Sequence, residues 1–499
     1  MPAIHSSSQS APHIVIIGTG FGGLGMAIQL KKAGIDHFTL LEKNDAVGGT
    51  WRDNSYPGAA CDVESHLYSF SFEPKPDWSR KFARQPEILA YLEDCAERRD
   101  LYPHIRFGTE VVAAAYDEAR YCWVITTRAG ETIEAGILIT ACGQLNQPAY
   151  PAIPGVDDFA GPAFHSARWD HDVDLAGRRV AVIGTGASAI QFVPEVVDRA
   201  AHTQVFQRAG AWVMSKSDGA FSAKAKRRFA RWPLLARLYR TAIYWKNEGR
   251  ALAFTRWSAL LKPFALMAQR HARRQMRDDD KRRRLMPDYP IGCKRILLSN
   301  DWYPAIDRET VDLVTEPIER IERDAVVTMD GKRHPVDVLI HGTGFKATEF
   351  LAPMRIAGRG GHDLNAAWQA GARAYKGITV SGFPNFFMLY GPNTNLAHNS
   401  IIFMLESQIC YVLQGVQALC AGDIASLDVR RDREADFDAR IQHALARTVW
   451  QSGCTSWYRN AAGRNTVNWP GFTFSFRRAT AKLDLSDYHC EHGRHPAGP

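Results

Sequence analysis

The chain has 499 residues, 45% of them hydrophobic and 23% charged, with a formal net charge of +8. That length predicts about two to four domains, and the composition is that of a soluble globular protein. The nine cysteines are scattered with no CxxC pair or Cys/His cluster, which sets zinc aside and favours a reducing compartment, the cytoplasm.

In chain order, the N-terminal MPAIHSSSQSAPHIVIIG lacks a basic region, and its only apolar run leads into a glycine turn. The run therefore predicts a buried strand rather than a signal peptide, and with no unbroken apolar stretch of about 18 residues no transmembrane helix is expected. The sequence HIVIIGTGFGGLGMAIQLKKAGIDHFTLLEK then has the order strand, glycine turn, helix, strand. Gly18, Gly20 and Gly23 form GxGxxG, with Phe21 inside the turn. Such glycines give a tight turn, close approach to a pyrophosphate and close helix–strand packing. Glu42 ends the second strand, where a carboxylate accepts from a ribose 2′-hydroxyl and repels a 2′-phosphate.

The unit recurs in GRRVAVIGTGASAIQFVPEVVDRAAHTQVFQR, with Gly184, Gly186 and Ala189 as GxGxxA and with Thr185 and Ser188 in the turn. Its second strand ends on Gln207 and Arg208. Arg208 follows Gly184 at the spacing that separates Glu42 from Gly18, so one copy places an acid where the other places a cation. The first suits a bare ribose and the second a 2′-phosphorylated one, which points to FAD and NADPH. The alternative for Arg208 is a surface arginine at a strand end. Two dinucleotides in one chain imply electron transfer between them. A disulfide reductase would need paired cysteines beside the flavin; Cys61 stands alone in YPGAACDVE, so oxygen is the expected acceptor.

Between residues 221 and 286 stand 19 Lys and Arg against four acids, and the remainder of the chain is acidic. No nucleic-acid-binding motif accompanies this excess. Trp232, Leu234, Leu235, Leu238, Tyr239, Ile243, Tyr244 and Trp245 interleave with the cations at helical spacing, predicting two or three inserted helices. A solvated cap over the substrate mouth is the default reading, and a peripheral membrane-surface face the alternative. Near the C-terminus, NTVNWPGFTFSFRR either closes over the active site or packs.

Three longer motifs point to a family. FAGPAFHSARWD (residues 159–170) fits FxGxxxHxxxW[PD], GGTWRDNSYPGAACD (48–62) fits GxWxxxxYPGxxxD, and DVLIHGTGF (337–345) is close to DxxxxATGF. In this order, with both glycine turns, the chain resembles the type I Baeyer–Villiger monooxygenases over residues 12–212 and 288–405. PIGCKRILLSNDWYPAI and GPNTNLAHNSIIFMLESQ resemble the branch of 4-hydroxyacetophenone monooxygenase. The resemblance implies an NADPH- and oxygen-dependent conversion of ketones to esters or lactones through a C4a-peroxyflavin. A nitrogen- or sulfur-oxygenating flavin enzyme and a non-oxygenase flavin sensor or transport-associated protein are the alternatives.

By the same resemblance Arg295 sits over the flavin as a fixed cation, Asp62 orients it through a bidentate pair, and Lys294 reaches the 2′-phosphate beside Arg208. The duller reading of Asp62 is an Asx turn. Trp51 and Tyr68 would pack near the flavin, and Thr50, Val111 and Ile401 complete the expected FAD contacts, Ile401 by opening an apolar helix whose N-terminus faces the flavin. His165 and Trp169 read as a linker hinge rather than as chemical groups. Two departures stand out: Ala209 where relatives often carry Thr, and Gly342 where Ala is usual. The expected fold is α/β with two Rossmann-like domains: FAD from 1–147 and 383–499, NADP from 148–215 and 288–382, and a helical insertion at 216–287. Oligomeric state is left open.

Overall fold

A computed structural model describes residues 11–451, 453, 454 and 456–493. Residues 1–10 and 494–499, at the outer ends of the expected FAD portions, lie outside the described residues.

Two five-stranded parallel sheets carry the fold. The first has the order Phe386–Met388, Ile137–Thr140, Ile14–Ile17, Phe38–Leu41, Ile105–Arg106. The second has the order Val311–Val314, His202–Phe206, Arg179–Ile183, Val338–His341, Ala163–His165. Central strands such as IVII and VLIH are buried at every position, as expected where helices cover both faces of a parallel sheet. In each sheet the glycine turn follows the middle strand and opens a helix, Phe21–Lys32 in one and Ala189–Val197 in the other. Each unit also inserts a three-stranded antiparallel meander before a further parallel strand: Val111–Asp117, Cys122–Thr127, Thr132–Ala135 ahead of Ile137–Thr140 in the first, and Ile318–Glu322, Ala325–Thr328, Arg333–Pro335 ahead of Val338–His341 in the second. The duplication read from two glycine turns is thus a duplication of whole units.

Two expectations need correction. The strand Arg355–Ala357 pairs with Ala113–Ala115 of the first meander, and Met354, Ile356 and Phe383 join the first core, so the chain returns to the flavin side well before residue 383. The insertion holds five α-helices rather than two or three: Ala223–Arg231, Pro233–Glu248, Ala251–Thr255, Lys262–Gln275 and Asp279–Leu285. Pro233 and the Asp278 cap start new helices inside what the apolar spacing reads as continuous. The helix Ile401–Cys420 is long and apolar enough to cross a membrane by length and composition alone, which does not overturn the expectation of no transmembrane helix. It is a core helix here, largely buried against Phe21–Lys32, where Gly25 lets Ile409 and Phe70 approach.

Candidate functional site

The first turn shows why its glycines are required. Gly18 has φ +103°, and a Cβ there would lie 2.8 Å from the Ala141 carbonyl oxygen; one on Gly23 would run into the Gly18 carbonyl. The helix that follows has Gly20 as its N-cap, no side-chain cap and no acid in its first turn, so its N–H groups face the turn unspent. Phe21 points away from them, edge-on to Tyr68 and Phe70. Glu42 is buried and accepts from Thr19 N (3.1 Å), Thr19 Oγ1 (2.7 Å) and Asn44 N (3.0 Å), with Arg52 at 3.3 Å. Arg52 carried no sequence signal. Val111 begins the meander two residues after Thr109, whose N–H donates to the Glu42 carbonyl (2.8 Å). Thr50 opens the one-turn helix Thr50–Asp53, and Trp51 Nε1 donates to the Tyr68 hydroxyl at 3.1 Å. Ile401 starts the long core helix, whose N-cap Ser400 accepts from Ile402 N at 3.2 Å.

In the second turn Gly184 (φ +111°) abuts the Gly342 carbonyl, whereas a Cβ on Gly186 would meet no atom within 4 Å. Gly186 therefore has no packing role of its own, and its open side is where a pyrophosphate would approach. Ala189 is buried, and a Cβ on Gly342 would come to 3.4 Å from the Ala189 Cβ, an ordinary contact distance, so the departure at 342 is a small one. Ser188 is the helix N-cap by position, without a side-chain cap bond, and Thr185 Oγ1 donates to the Ala209 carbonyl at 3.3 Å. Gln207 turns inward, its amide donating to the Arg284 carbonyl at 2.7 Å. Arg208 is exposed, and neither it nor Lys294 forms an ion pair among the described residues. Burial and then the Arg208 charge hold the Lys294 ammonium below its usual range, against the opposing pull of Asp288. Two neighbouring cations without a matched anion suit a phosphate.

The two halves meet at YPGAACD. Gly58 (φ +80°) lies against the Gln191 carbonyl of the second Rossmann helix. Gln191 also accepts from the Tyr56 hydroxyl (3.0 Å) and Ala60 N (3.2 Å) and donates to the Ala60 carbonyl (3.0 Å). Nothing in GASAIQF singled Gln191 out. The fingerprint segment joins the same junction: His171 Nε2 lies 2.8 Å from Ser55 Oγ, and Arg168 4.0 Å from Asp53. His165 is fully buried, its Nδ1 accepting from Ala167 N at 3.1 Å. Burial, then the neighbouring His341, lower its pKa to about 4, and Trp169 packs on Phe164 and Phe192. Their contacts with Tyr150, Phe345, Phe164 and Phe192 are packing contacts, away from Asp62 and Arg295.

The short parallel pair Val213–Met214 and Leu297–Leu298, in register Val213↔Leu297, brings Lys216 and Arg295 to one place. Asp62 lies between them, Oδ2 at 3.6 Å from Arg295 and Oδ1 at 3.8 Å from Lys216. The expected bidentate pair is not formed: the carboxylate is shared between two cations instead of being forked onto one. Lys216, which no motif flagged, also lies over the Phe82 ring. Burial draws the Arg295 pKa down, but Asp62, then Tyr458 and Tyr390, more than offset it and the pKa is raised. The Arg295 side chain stays 39% exposed, so it remains available to a ligand. Burial pushes the Cys61 thiol and the Tyr458 phenol up to about 12 and the Tyr390 phenol higher, which leaves all three neutral near pH 7. The cluster therefore holds two cations and one anion.

Cys293, beside Lys294, is disulfide-bonded to Cys454, a pairing of residues 161 apart that the scatter of cysteines concealed. It fastens the Lys294–Arg295 turn to the segment bearing Tyr458. The tail is packed in place: Trp469 lies edge-on to Phe476, and Asn393 donates to the Asn465 and Asn468 carbonyls at 3.0 and 3.2 Å.

Residues 15–232 match the family model described as pyridine nucleotide-disulphide oxidoreductase. A Baeyer–Villiger monooxygenase of Pseudomonas aeruginosa PAO1 is 46% identical over 478 residues, covering 95% of this chain and 91% of the relative. The chain belongs to the Baeyer–Villiger monooxygenase family. An oxidised steroid monooxygenase bound to NADP superposes with a TM-score of 0.85 at 30% identity, covering 97% of this chain and 100% of that one. OTEMO in complex with FAD and NADP does so with 0.86 at 27%, over the same shares. The chain is an NADPH-dependent flavoprotein monooxygenase of Baeyer–Villiger type, with FAD and NADPH as cofactors. The disulphide oxidoreductase description fits the shared nucleotide scaffold; the buried, protonated and unpaired Cys61 gives this Baeyer–Villiger monooxygenase no dithiol to reduce there.

Proposed function

We propose that this monooxygenase inserts oxygen beside the carbonyl of a ketone at the cluster of Arg295, Asp62 and Lys216. Bound FAD, reduced by NADPH, supplies the oxygen-activating chemistry. The observation that carries the reading is the excess cation: Asp62 restrains Arg295 without neutralising the pair of positive groups. A guanidinium does not give up its proton near neutral pH, so an oxygen acid lying against Arg295 is held as its anion, the nucleophilic form. The same fixed charge stabilises the oxyanion that develops on the attacked carbonyl oxygen. Heteroatom oxygenation calls for a protonated, electrophilic oxygen, which this cluster disfavours.

Around that centre, the first helix N-terminus and Glu42 would hold the adenosine half of FAD. Gly186, Arg208 and Lys294 would hold the pyrophosphate and 2′-phosphate of NADPH. Asp62 acts as a positioning residue, and Gln191 fixes the loop that bears it against the nicotinamide half. The test is to incubate the purified protein with NADPH and air on ketone and sulfide panels. Ester or lactone formation supports the reading; sulfoxide alone, or hydrogen peroxide alone, overturns it.

A further inference from the structure

The insertion is anchored on the segment that follows YPGAACD. Its helix Pro233–Glu248 is docked by one face: Ile243, Asn247 and Glu248 are buried, and Arg240 donates to the His66 and Ser69 carbonyls at 2.6 and 3.0 Å. The opposite face is apolar and open. Leu234, Leu238 and Trp245 fall on one stripe at helical spacing and are 69%, 57% and 57% exposed, with Trp232 at 59%. Phe474 extends the patch beside Trp245. Where this helix meets Ala223–Arg231, two shallow apolar hollows of about 460 and 400 Å³ open on the surface, lined by Phe229, Leu234, Leu235, Leu238 and the Arg228 stem.

The charge around the patch is one-sided. From residue 221 to 277 the only acid is Glu248, which is buried and accepts from Asn399 and Thr473. Lys224, Arg227, Arg228, Arg231 and Arg237 are all exposed, and none forms an ion pair among the described residues. A soluble surface interleaves both signs; this one sets Trp and Leu amid unopposed cations.

We propose that this face docks on a bilayer surface bearing anionic lipid headgroups. The Trp and Leu side chains would enter the headgroup–acyl boundary while the flanking cations meet lipid phosphates and carboxylates. A second copy fits poorly, because a twofold contact would press one set of unpaired cations against another. Nucleic acid would meet the cations but would leave the leucines without a partner. The proposal stands apart from the oxygenation reading and does not need it.

Co-sedimentation of the full chain with phosphatidylcholine vesicles containing about 30% phosphatidylserine, at about 50 mM salt, tests it. The protein should pellet with these vesicles, stay in solution with phosphatidylcholine alone, and be released by about 0.5 M salt. Two triple variants, L234S/L238S/W245S and R227E/R231E/R237E, should each lower the partition at least about tenfold. Their NADPH oxidation and melting temperature should be unchanged without vesicles, since all six side chains lie outside the cofactor and Arg295 sites. The proposal is overturned if the protein fails to pellet at low salt, if either variant pellets like the unsubstituted chain, or if L234S/L238S/W245S instead dissociates a dimer in sedimentation equilibrium.

Discussion

Replacing Arg208 with alanine tests the proposed contact to the 2′-phosphate by which the protein would tell NADPH from NADH. Arg208 is exposed and unpaired, so the substitution strands no partner and removes no core packing. Stability should hold within about 0.5 kcal/mol. What is lost is a charge-assisted contact to the 2′-phosphate, about 1.5–3 kcal/mol, or roughly 10- to 150-fold in NADPH affinity. Lys294 remains and, relieved of its neighbour's charge, regains basicity, which favours the lower end of that range. NADH has no 2′-phosphate and should be unaffected. The assay is stopped-flow reduction of the flavin with each nucleotide, beside a thermal melt. An equal loss for both nucleotides, or none for NADPH, would refute the assignment of Arg208 to the phosphate.

Other substitutions separate packing from binding. Gly186→Ala should keep its melting temperature, because its Cβ would enter open space, yet lose NADPH affinity; Gly184→Ala, at φ +111° against the Gly342 carbonyl, should cost at least about 1–3 kcal/mol in a denaturant melt. Lys216→Met removes one of the two cations on Asp62 and should shift oxygen use from ester toward hydrogen peroxide by roughly threefold to tenfold at unchanged NADPH oxidation, measured as product per nucleotide consumed. His165 has a pKa of about 4 when folded against about 6.5 unfolded, so the unfolded chain binds the extra proton between those values. Stability should therefore be fully present above about pH 6.5 and fall by roughly 3 kcal/mol on acidification toward 4. His165→Asn should flatten that limb in urea melts across the range; an unchanged slope would remove His165 as its source.

The sequence disclosed what depends on local backbone geometry. Glycines at fixed offsets from an apolar strand can serve few purposes, and the structure gives Gly18, Gly23 and Gly184 those purposes as steric facts. The acid–cation contrast of Glu42 and Arg208 was equally plain, because equal spacing in a duplicated unit is one-dimensional information. Groups assembled by long-range contact stayed hidden. Lys216 reaches Asp62 only through a two-residue strand pairing, Gln191 matters because a helix from the other half lands on Gly58, and Cys293 finds Cys454 across 161 residues. The five insertion helices were under-counted for a related reason: apolar spacing continues across Pro233 while the backbone turns.

In the proposed reaction Arg295, steadied by Asp62, directs activated oxygen onto a carbonyl. Arg295→Ala with NADPH, air and a ketone that the unsubstituted protein converts tests it most directly. NADPH oxidation should continue while ester formation falls at least about a hundredfold, with hydrogen peroxide accounting for the oxygen consumed. Ester formation within about twofold of the unsubstituted protein would contradict it, since an interaction made only in the transition state cannot be lost at so small a penalty.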